Sequence, residues 1–479
     1  MASSDAGTLR IESEIGRAGL EAVRLQIESE LKRAAPDTKT AGAWIDHYLL
    51  TDSGGASQAQ YAPSSVQFYR ASGFLCSRPV DSVSLATLAP ILGCKYVYVT
   101  WDVTTKETVH VFGYQPKARL PWLTGSMTTA RALHTATRLR SGMVLVAGGV
   151  VGGGQALSSA ELYDPATGQW AATGAMTAPR FQHSATLLPD GKVLVSGGTD
   201  GGVQALGSAE VFDPAKGQWT PVGEMTLPRF GHTATLVKGF GVLVAGGPSG
   251  SPPMTPTAEV YDLETRRWTA AGSMSMGRRH HTATLLGTGK VLVVGGVTQD
   301  SDVASGGEKG ELFDPHKGTW APTGSMSQAL AYHRALLLPS GLVLVAGGCT
   351  VSMGGDFPSR TAELYDPAQG TWLHTGSLAA ARAKHTLTLL PSGGVLAAGG
   401  FGADPGNFCM TGDPIDTVER YDPTTGSWTP VVLPMATARA SHAAVACRGG
   451  DVLLVGGCGG IGGCGGTRTP LASAELYVP

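Results

Sequence analysis

The sequence predicts an all-β fold, a seven-bladed β-propeller over residues 118–479, preceded by a small α+β region over 1–117. Three observations point there. A histidine leading into a β-rich run recurs seven times, and every copy repeats one grammar of strands and turns. The last copy stops short of its fourth strand, and a matching strand stands ahead of the first. Composition agrees: 68 of 479 residues are glycine and only 15% are charged, which suits many tight turns between short strands.

The copies align on His134, His183, His232, His281, His333, His385 and His442, at spacings of 49, 49, 49, 52, 52 and 57. A period near about fifty residues signals a propeller array. In each unit a strand begins at the histidine, as in "ARALHTATRLRSGMVLVAGG". A glycine-bearing turn follows, then an apolar strand ending in Gly-Gly. A variable loop leads to "AELYDP" or a relative, a short turn such as "ATGQ", and a strand carrying Trp170, Trp219, Trp268, Trp320, Trp372 or Trp428. Four short strands make one blade. The seventh unit ends at "SAELYVP", without a tryptophan strand. "LPWLTGSM" places Trp122 twelve residues before His134, much as Trp170 stands thirteen before His183. The N-terminal strand is therefore expected to complete the last blade and leave no open edge.

Residues 1–117 lack the repeat. "LRIESEIGRAGLEAVRLQIESELKRA" carries an apolar stripe at helical spacing, through Ile11, Ile15, Leu20, Val23, Ile27 and Leu31, ended by Pro36. "KYVYVTWDVTTKETVHVFGYQ" alternates as two strands about a Thr-Thr-Lys-Glu turn. These residues are expected to form a small α+β domain or an arm packed on the propeller, with a dimerisation or docking element as the alternative reading of the helix.

Residues present once per blade read first as parts of the fold. The seven histidines are expected to hydrogen-bond a backbone group in each wedge. Met127, Met176, Met225, Met274, Met326 and Met435, with Leu378 in blade six, stand seven residues before them as core filler. Glu161, Glu210, Glu259, Glu311, Glu363, Glu419 and Glu475 also recur. Arg131, Arg180, Arg229, Arg278, Arg382 and Arg439 lie three before the histidine. One arginine and one glutamate thus recur together in six of the units. Blade five departs from it, with Leu330 at the arginine position and Arg334 just after the histidine. Either Arg334 reaches Glu363 from its new place or this wedge serves something else.

The Gly-Gly doublet with the spaced Tyr or Phe and Trp resembles the kelch repeat of the bacterial type, from about Leu120 to the C-terminus. That resemblance implies the propeller but not a function, because kelch propellers serve both as binding platforms and as enzyme scaffolds. Distant similarity to galactose oxidase, a kelch-type copper enzyme, lies in the adjacent pair Tyr332-His333 before "LLLP". The copper site also needs a second histidine and a cysteine-crosslinked second tyrosine, one residue before a repeat histidine in an earlier blade. Leu133, Gln182, Gly231 and His280 stand there instead, so a tyrosyl-radical centre is not expected.

Cys349 and Cys458 directly follow Gly-Gly, Cys409 lies in the equivalent loop of blade six, and Cys464 follows in "CGGIGGCGG". Thiolates placed in this way suit zinc, copper or iron, or pair as disulfides. The spacing matches no standard zinc signature. The loops after Gly-Gly are longer in blades four to seven. They offer Asp356, Arg360, Asp404, Phe408, Asp413, Asp416 and Arg468, with Tyr332 and Arg334, as the binding surface.

A net charge of −2 gives no electrostatic case for nucleic acid or an acidic membrane, and no apolar run is long enough to span one. "MASSDAGTLRIESE" lacks a basic stretch leading into an apolar one, so the chain is expected in the cytoplasm. No Cys-His or Ser-His-Asp spacing stands out once the repeat histidines are set aside. The expected function is a scaffold whose propeller face grips a protein or peptide. The alternative is a kelch-fold enzyme acting on a sugar or a peptide, with a metal held by the long loops.

Overall fold

The structure is a computed structural model. It describes four strands within 45–114, and 124–479 apart from 203, 249–253, 299–306, 353–354, 403–408, 410–411, 432–433 and 461–468. The chain divides into two compact units, centred on Met1–Leu123 and Thr124–Tyr477. In the first, Tyr96–Asp102 and Thr108–Tyr114 pair antiparallel, as the alternating run leads one to expect, flanked by Ile45–Thr51 and Ser65–Gln67. The expected helix of this region, along with Cys76 and Cys94, lies outside the described residues.

The second unit is a seven-bladed propeller. Six blades are four-stranded antiparallel sheets in which chain order is spatial order, for example Thr135–Arg138, Val144–Ala147, Ala160–Asp164 and Gln169–Thr173 in blade one. The innermost strands neighbour one another in sequence, and Ala443–Ala446 of blade seven neighbours Thr135–Arg138 to close the circle. Each second strand is buried along its whole length, because both of its faces meet a neighbouring blade. That is why "VLVA" and "VLVV" read as unbroken apolar runs rather than alternating ones. The outer strands alternate exposed and half-buried residues, as an edge facing solvent should.

Among the described residues blade seven has three strands. Trp122, expected to supply its fourth, lies outside them. The segment that follows it keeps the repeat's register. Met127 N–H donates to Ala472 O at 2.9 Å, just as Met176 N–H donates to Ser158 O between blades two and one.

The Arg–Glu pairs form in six wedges, with Nη2–Oε1 distances of 2.6–3.0 Å and both partners buried. Each arginine also ties the start of its blade to the Gly-Gly corner. Arg131 Nη1 donates to Gly148 O at 2.7 Å and to Ser159 O at 2.9 Å. In blade five Leu330 is buried at the arginine's place, and Glu363 accepts from Ser327 N–H and Oγ instead. Arg334 does not reach Glu363; its Nε donates to His385 O at 2.7 Å.

Tryptophan stitches the outer rim. Trp170 Nε1–H donates to Gly125 O at 2.8 Å and Trp372 Nε1–H to Gly324 O at 2.8 Å, in each case onto the segment leaving the preceding blade. The Gly-Gly doublet is dictated by space and torsion together. Gly347 has φ of 63°, and a Cβ there would stand 2.6 Å from both His385 Cε1 and Arg382 O.

Candidate functional site

The residue before each repeat histidine adopts the left-handed conformation: Leu133, Gln182, Gly231, His280, Tyr332, Lys384 and Ser441, at φ of 52–59°. This places one N–H toward one neighbouring blade and one C=O toward the other. Gln182 N–H donates to Leu133 O at 3.2 Å, Gly231 to Gln182 at 3.0 Å, and His280 to Gly231 at 2.9 Å. Tyr332 then donates to His280 at 3.1 Å, Lys384 to Tyr332 at 3.2 Å, Ser441 to Lys384 at 3.0 Å, and Leu133 to Ser441 at 3.1 Å, which closes the circle. For a residue with a Cβ this conformation costs about 1–2 kcal/mol. The closed belt of backbone bonds offsets that and holds six side chains and the bare Gly231 around the axis.

Beneath the belt the histidines latch the blades together through side chains rather than the expected backbone groups. His183 Nε2 pairs with Thr135 Oγ1 at 2.9 Å, His232 with Ser184 Oγ at 3.0 Å, and His281 with Thr233 Oγ1 at 3.0 Å. His333 pairs with Thr282 Oγ1 at 2.9 Å and His442 with Thr386 Oγ1 at 3.1 Å. Nδ1 of His183 approaches the Arg180 backbone but lies outside hydrogen-bonding geometry. Two latches are missing. Ala443 offers no hydroxyl to His134, and Arg334 takes the hydroxyl's place opposite His385, so both Nε2 atoms stay unbonded.

Arg334 is the outlier of the inner ring. Beyond its Nε bond to His385 O, its guanidinium has no ion pair or hydrogen bond among the described residues. Its side chain is solvent-exposed, yet burial by surrounding protein pushes its pKa down. Both hold for a cation that reaches solvent while protein surrounds it closely.

Above it lies an aromatic and cationic arc. The His280 ring leans over Gly231, where a Cβ would meet its Cε1 at 2.9 Å. His280 stacks on Tyr332 at 4.4 Å between centroids and 25° between planes. Lys384 Nζ sits 4.7 Å from the Tyr332 centroid and 5.7 Å from that of Phe401. The His280 pKa lies well below the usual histidine value, first through burial and then through the charges of Arg279, Lys384 and Arg334. Neutral His280 therefore sits among three cations.

Of the residues expected to bind, the structure joins some and separates others. Cys349 and Cys409 form a disulfide between blades five and six, and Tyr332 packs against both. Cys458 is disulfide-bonded as well, so of the two readings left open for these three cysteines, the structure has the disulfide. Cys447 is a buried thiol whose Sγ donates to Val445 O at 4.0 Å. Asp356 accepts Cys409 N–H at its carbonyl, 2.9 Å away. Arg360 lines an open groove of about 960 Å³ with Gln328, Thr361, Ala379 and Ile415, and its Nη1 donates to Ala379 O at 3.4 Å. The carbonyls of Asp413 and Asp416 accept Gly402 N–H at 3.0 Å and Met435 N–H at 2.8 Å, the second from the segment that leaves blade six. Asp404, Phe408, Cys464 and Arg468 lie outside the described residues.

Sequence reasoning missed Lys384 and His280. The available signal was a position fixed in register yet different in every blade.

A copper centre of the oxidase kind does not fit these residues. One face of Tyr332 is occupied by His280, and Lys384 brings a positive charge to the same ring. His333 Nε2 is already engaged by Thr282. Among the described residues no three His, Cys, Asp or Glu side chains converge.

A family model described as the kelch motif matches residues 140–177, 180–226 and 393–432. A fungal alcohol oxidase of the AA5 family, solved in complex with copper, superposes with a TM-score of 0.60 at 20% identity. The match covers 75% of this chain and 76% of that one. A protein named YjhT superposes with a TM-score of 0.50 at 16% identity, over 64% of this chain and 99% of its own. At such identity these likenesses concern the fold alone.

Proposed function

We propose that this seven-bladed kelch propeller is a binding platform whose partner, a protein or peptide, presents a carboxylate to the mouth of the central channel beside blades four to six. One observation carries the reading: the Arg334 guanidinium stands in the lumen without a carboxylate partner among the described residues, below Lys384 and the His280–Tyr332 stack. A guanidinium accepts a carboxylate through two parallel hydrogen bonds, and a low-dielectric channel strengthens them. The stacked rings add an apolar wall, and the groove past Arg360 gives the rest of a peptide somewhere to lie. The disulfide at the mouth supports an oxidising compartment in place of the cytoplasm. No copper-dependent step is derived for this chain, since the oxidase neighbour's chemistry needs ligands that these positions lack.

Arg334→Thr tests the reading without endangering the fold, because it restores the hydroxyl that four other blades of threonine and one of serine place at this register or opposite it. Binding of fluorescent acidic peptides would be followed by anisotropy, with neutral and basic peptides of equal length as controls. The expected result is a preference for acidic peptides that weakens at high salt and falls at least about tenfold in the variant. Equal binding by variant and parent, or a parent preference for basic peptides, overturns it.

A further inference from the structure

Blade five holds a second feature, remote from the channel mouth in chemistry. In the six paired wedges the guanidinium is held by a glycine carbonyl, a second carbonyl and a glutamate, joined in five of them by a Ser or Thr hydroxyl; blade four has Lys309 at that place. In blade six Arg382 Nη1 donates to Gly399 O at 2.8 Å and Thr417 O at 3.1 Å. Its Nη2 donates to Thr417 Oγ1 at 3.2 Å and Glu419 Oε1 at 2.6 Å. Blade one repeats this with Gly148, Ser159 and Glu161 around Arg131. Blade five keeps every acceptor, as Gly347, Thr361 and Glu363, and keeps the Gly347 N–H to Thr361 O bond of 2.9 Å that sets their spacing. It replaces only the cation, because Leu330 stands where the arginine would be.

The consequences are specific. Glu363 is 2% exposed and has no ion pair among the described residues; it accepts from Ser327 N–H at 3.1 Å and from Ser327 Oγ–H at 2.9 Å. Among the described residues no donor reaches Gly347 O, the acceptor that takes an arginine Nη1 in the six other blades. Thr361 immediately precedes the Ala362–Asp366 strand that carries Glu363, and in blade six the equivalent Thr417 hydroxyl and Glu419 carboxylate meet at one arginine Nη2. The Thr361 hydroxyl turns to Gln328 Oε1 at 3.3 Å, and both of these residues line the groove between blades five and six. A buried carboxylate left without its counter-charge is destabilising. Leu330 is itself packed with Val294, Met326 and Val345, so the wedge is apolar on one side and oxygen-lined on the other.

We propose that this wedge binds a singly charged cation from solution, entering by way of the Gln328–Thr361 edge of the groove. Its ligands are the Glu363 carboxylate, the carbonyl oxygens of Gly347 and Thr361, and the Thr361 hydroxyl. The frame carries one negative charge, and its six sisters each neutralise theirs with one positive charge. An all-oxygen set of this kind is suited to sodium or potassium, and its match to a guanidinium makes the guanidinium ion a third source of the same charge.

The full chain, dialysed into choline chloride, would be melted across a titration of sodium, potassium or guanidinium chloride in the low millimolar range. Total ionic strength would be held constant with choline. The expected result is a saturable rise in melting temperature with one of the three small cations, absent in Glu363→Gln. Leu330→Arg supplies the seventh pair internally. It is expected to melt higher than the parent in choline alone and to lose the saturable response. If Leu330→Arg fails to fold, Glu363→Gln against the parent still decides the matter. A parent response that is flat for all three cations, or that persists unchanged in Glu363→Gln, overturns the proposal.

Discussion

Acid should loosen this propeller well before its carboxylates titrate. Burial first, and then the neighbouring arginine charge, push the pKa of His134, His232 and His333 down to about 3. His183, His281, His385 and His442 move the same way for the same leading reason. An unfolded histidine titrates near ~6.5, so below that pH the unfolded chain binds protons that the folded chain refuses. Stability from these groups is therefore complete above about pH 6.5 and lost as pH falls toward about 3. At pH 5.5 each histidine accounts for about 1.4 kcal/mol, and the three with the clearest shifts for about 4 kcal/mol together. That compares with a typical total of about 5–15 kcal/mol. Surface aspartates such as Asp262, lowered by the Thr265 and Glu264 N–H groups, act only in the more acid range, so the interval from pH 7 to 5 isolates the histidines. Urea unfolding followed by tryptophan fluorescence at half-unit steps should show the midpoint falling steadily over that interval. His232→Gln, which keeps a partner for Ser184, should reduce the slope by one proton's share. A midpoint unchanged between pH 7 and 5 would refute the argument.

Other expectations follow from single contacts. Arg382→Leu leaves Glu419 buried with only the Ala379 and Ala380 N–H groups, and should destabilise by about 3–5 kcal/mol in a thermal melt; a loss below about 1 kcal/mol would contradict the pair's assigned role. Cys349 and Cys409 close a loop of 60 residues, worth about 4 kcal/mol in the chain-entropy account. Peptide mapping under non-reducing conditions should recover the crosslinked pair, and Cys349→Ser with Cys409→Ser should lower the melting temperature. Gly347→Ala forces a Cβ into His385 and Arg382 at positive φ, and should unfold at clearly lower urea than Gly341→Ala, which also has positive φ but meets nothing within 4 Å.

The fold was legible because a propeller repeats its constraints. Each wedge needs a small residue at two corners and an apolar strand buried on both faces, and six of the seven add a cation three before the histidine, so the copies wrote nearly the same grammar. The antiparallel hairpin of the first unit was legible for a similar reason, since alternation in "KYVYVTW" and "VHVFGY" fixes strand faces. What resisted reading was set by closure in space. The hydrogen-bonded belt joins residues about fifty apart and runs from Ser441 back to Leu133, a contact that no local pattern encodes. The histidine latch was misassigned for the same reason, because its hydroxyl partner lies one blade earlier. Nor does any local pattern show that the backbone carbonyls of Asp413 and Asp416 would take the Gly402 and Met435 N–H groups.

Blade five shows how departures from a repeat separate function from scaffold. If Leu330 and Arg334 merely swapped a charge along the chain, Arg334 would be bonded to Glu363 and the wedge would be complete. It is not: Arg334 faces the axis and Glu363 stays in the wedge. The two changes therefore leave a positive charge at the channel and a negative one within the blade, each held away from the other by a buried strand. Leu330→Arg and Arg334→Thr should accordingly act independently. The first should alter cation-dependent melting and leave acidic-peptide binding as it was, and the second should do the reverse. If both variants moved both readouts, the two sites would be one, and the separation argued from these contacts would be wrong.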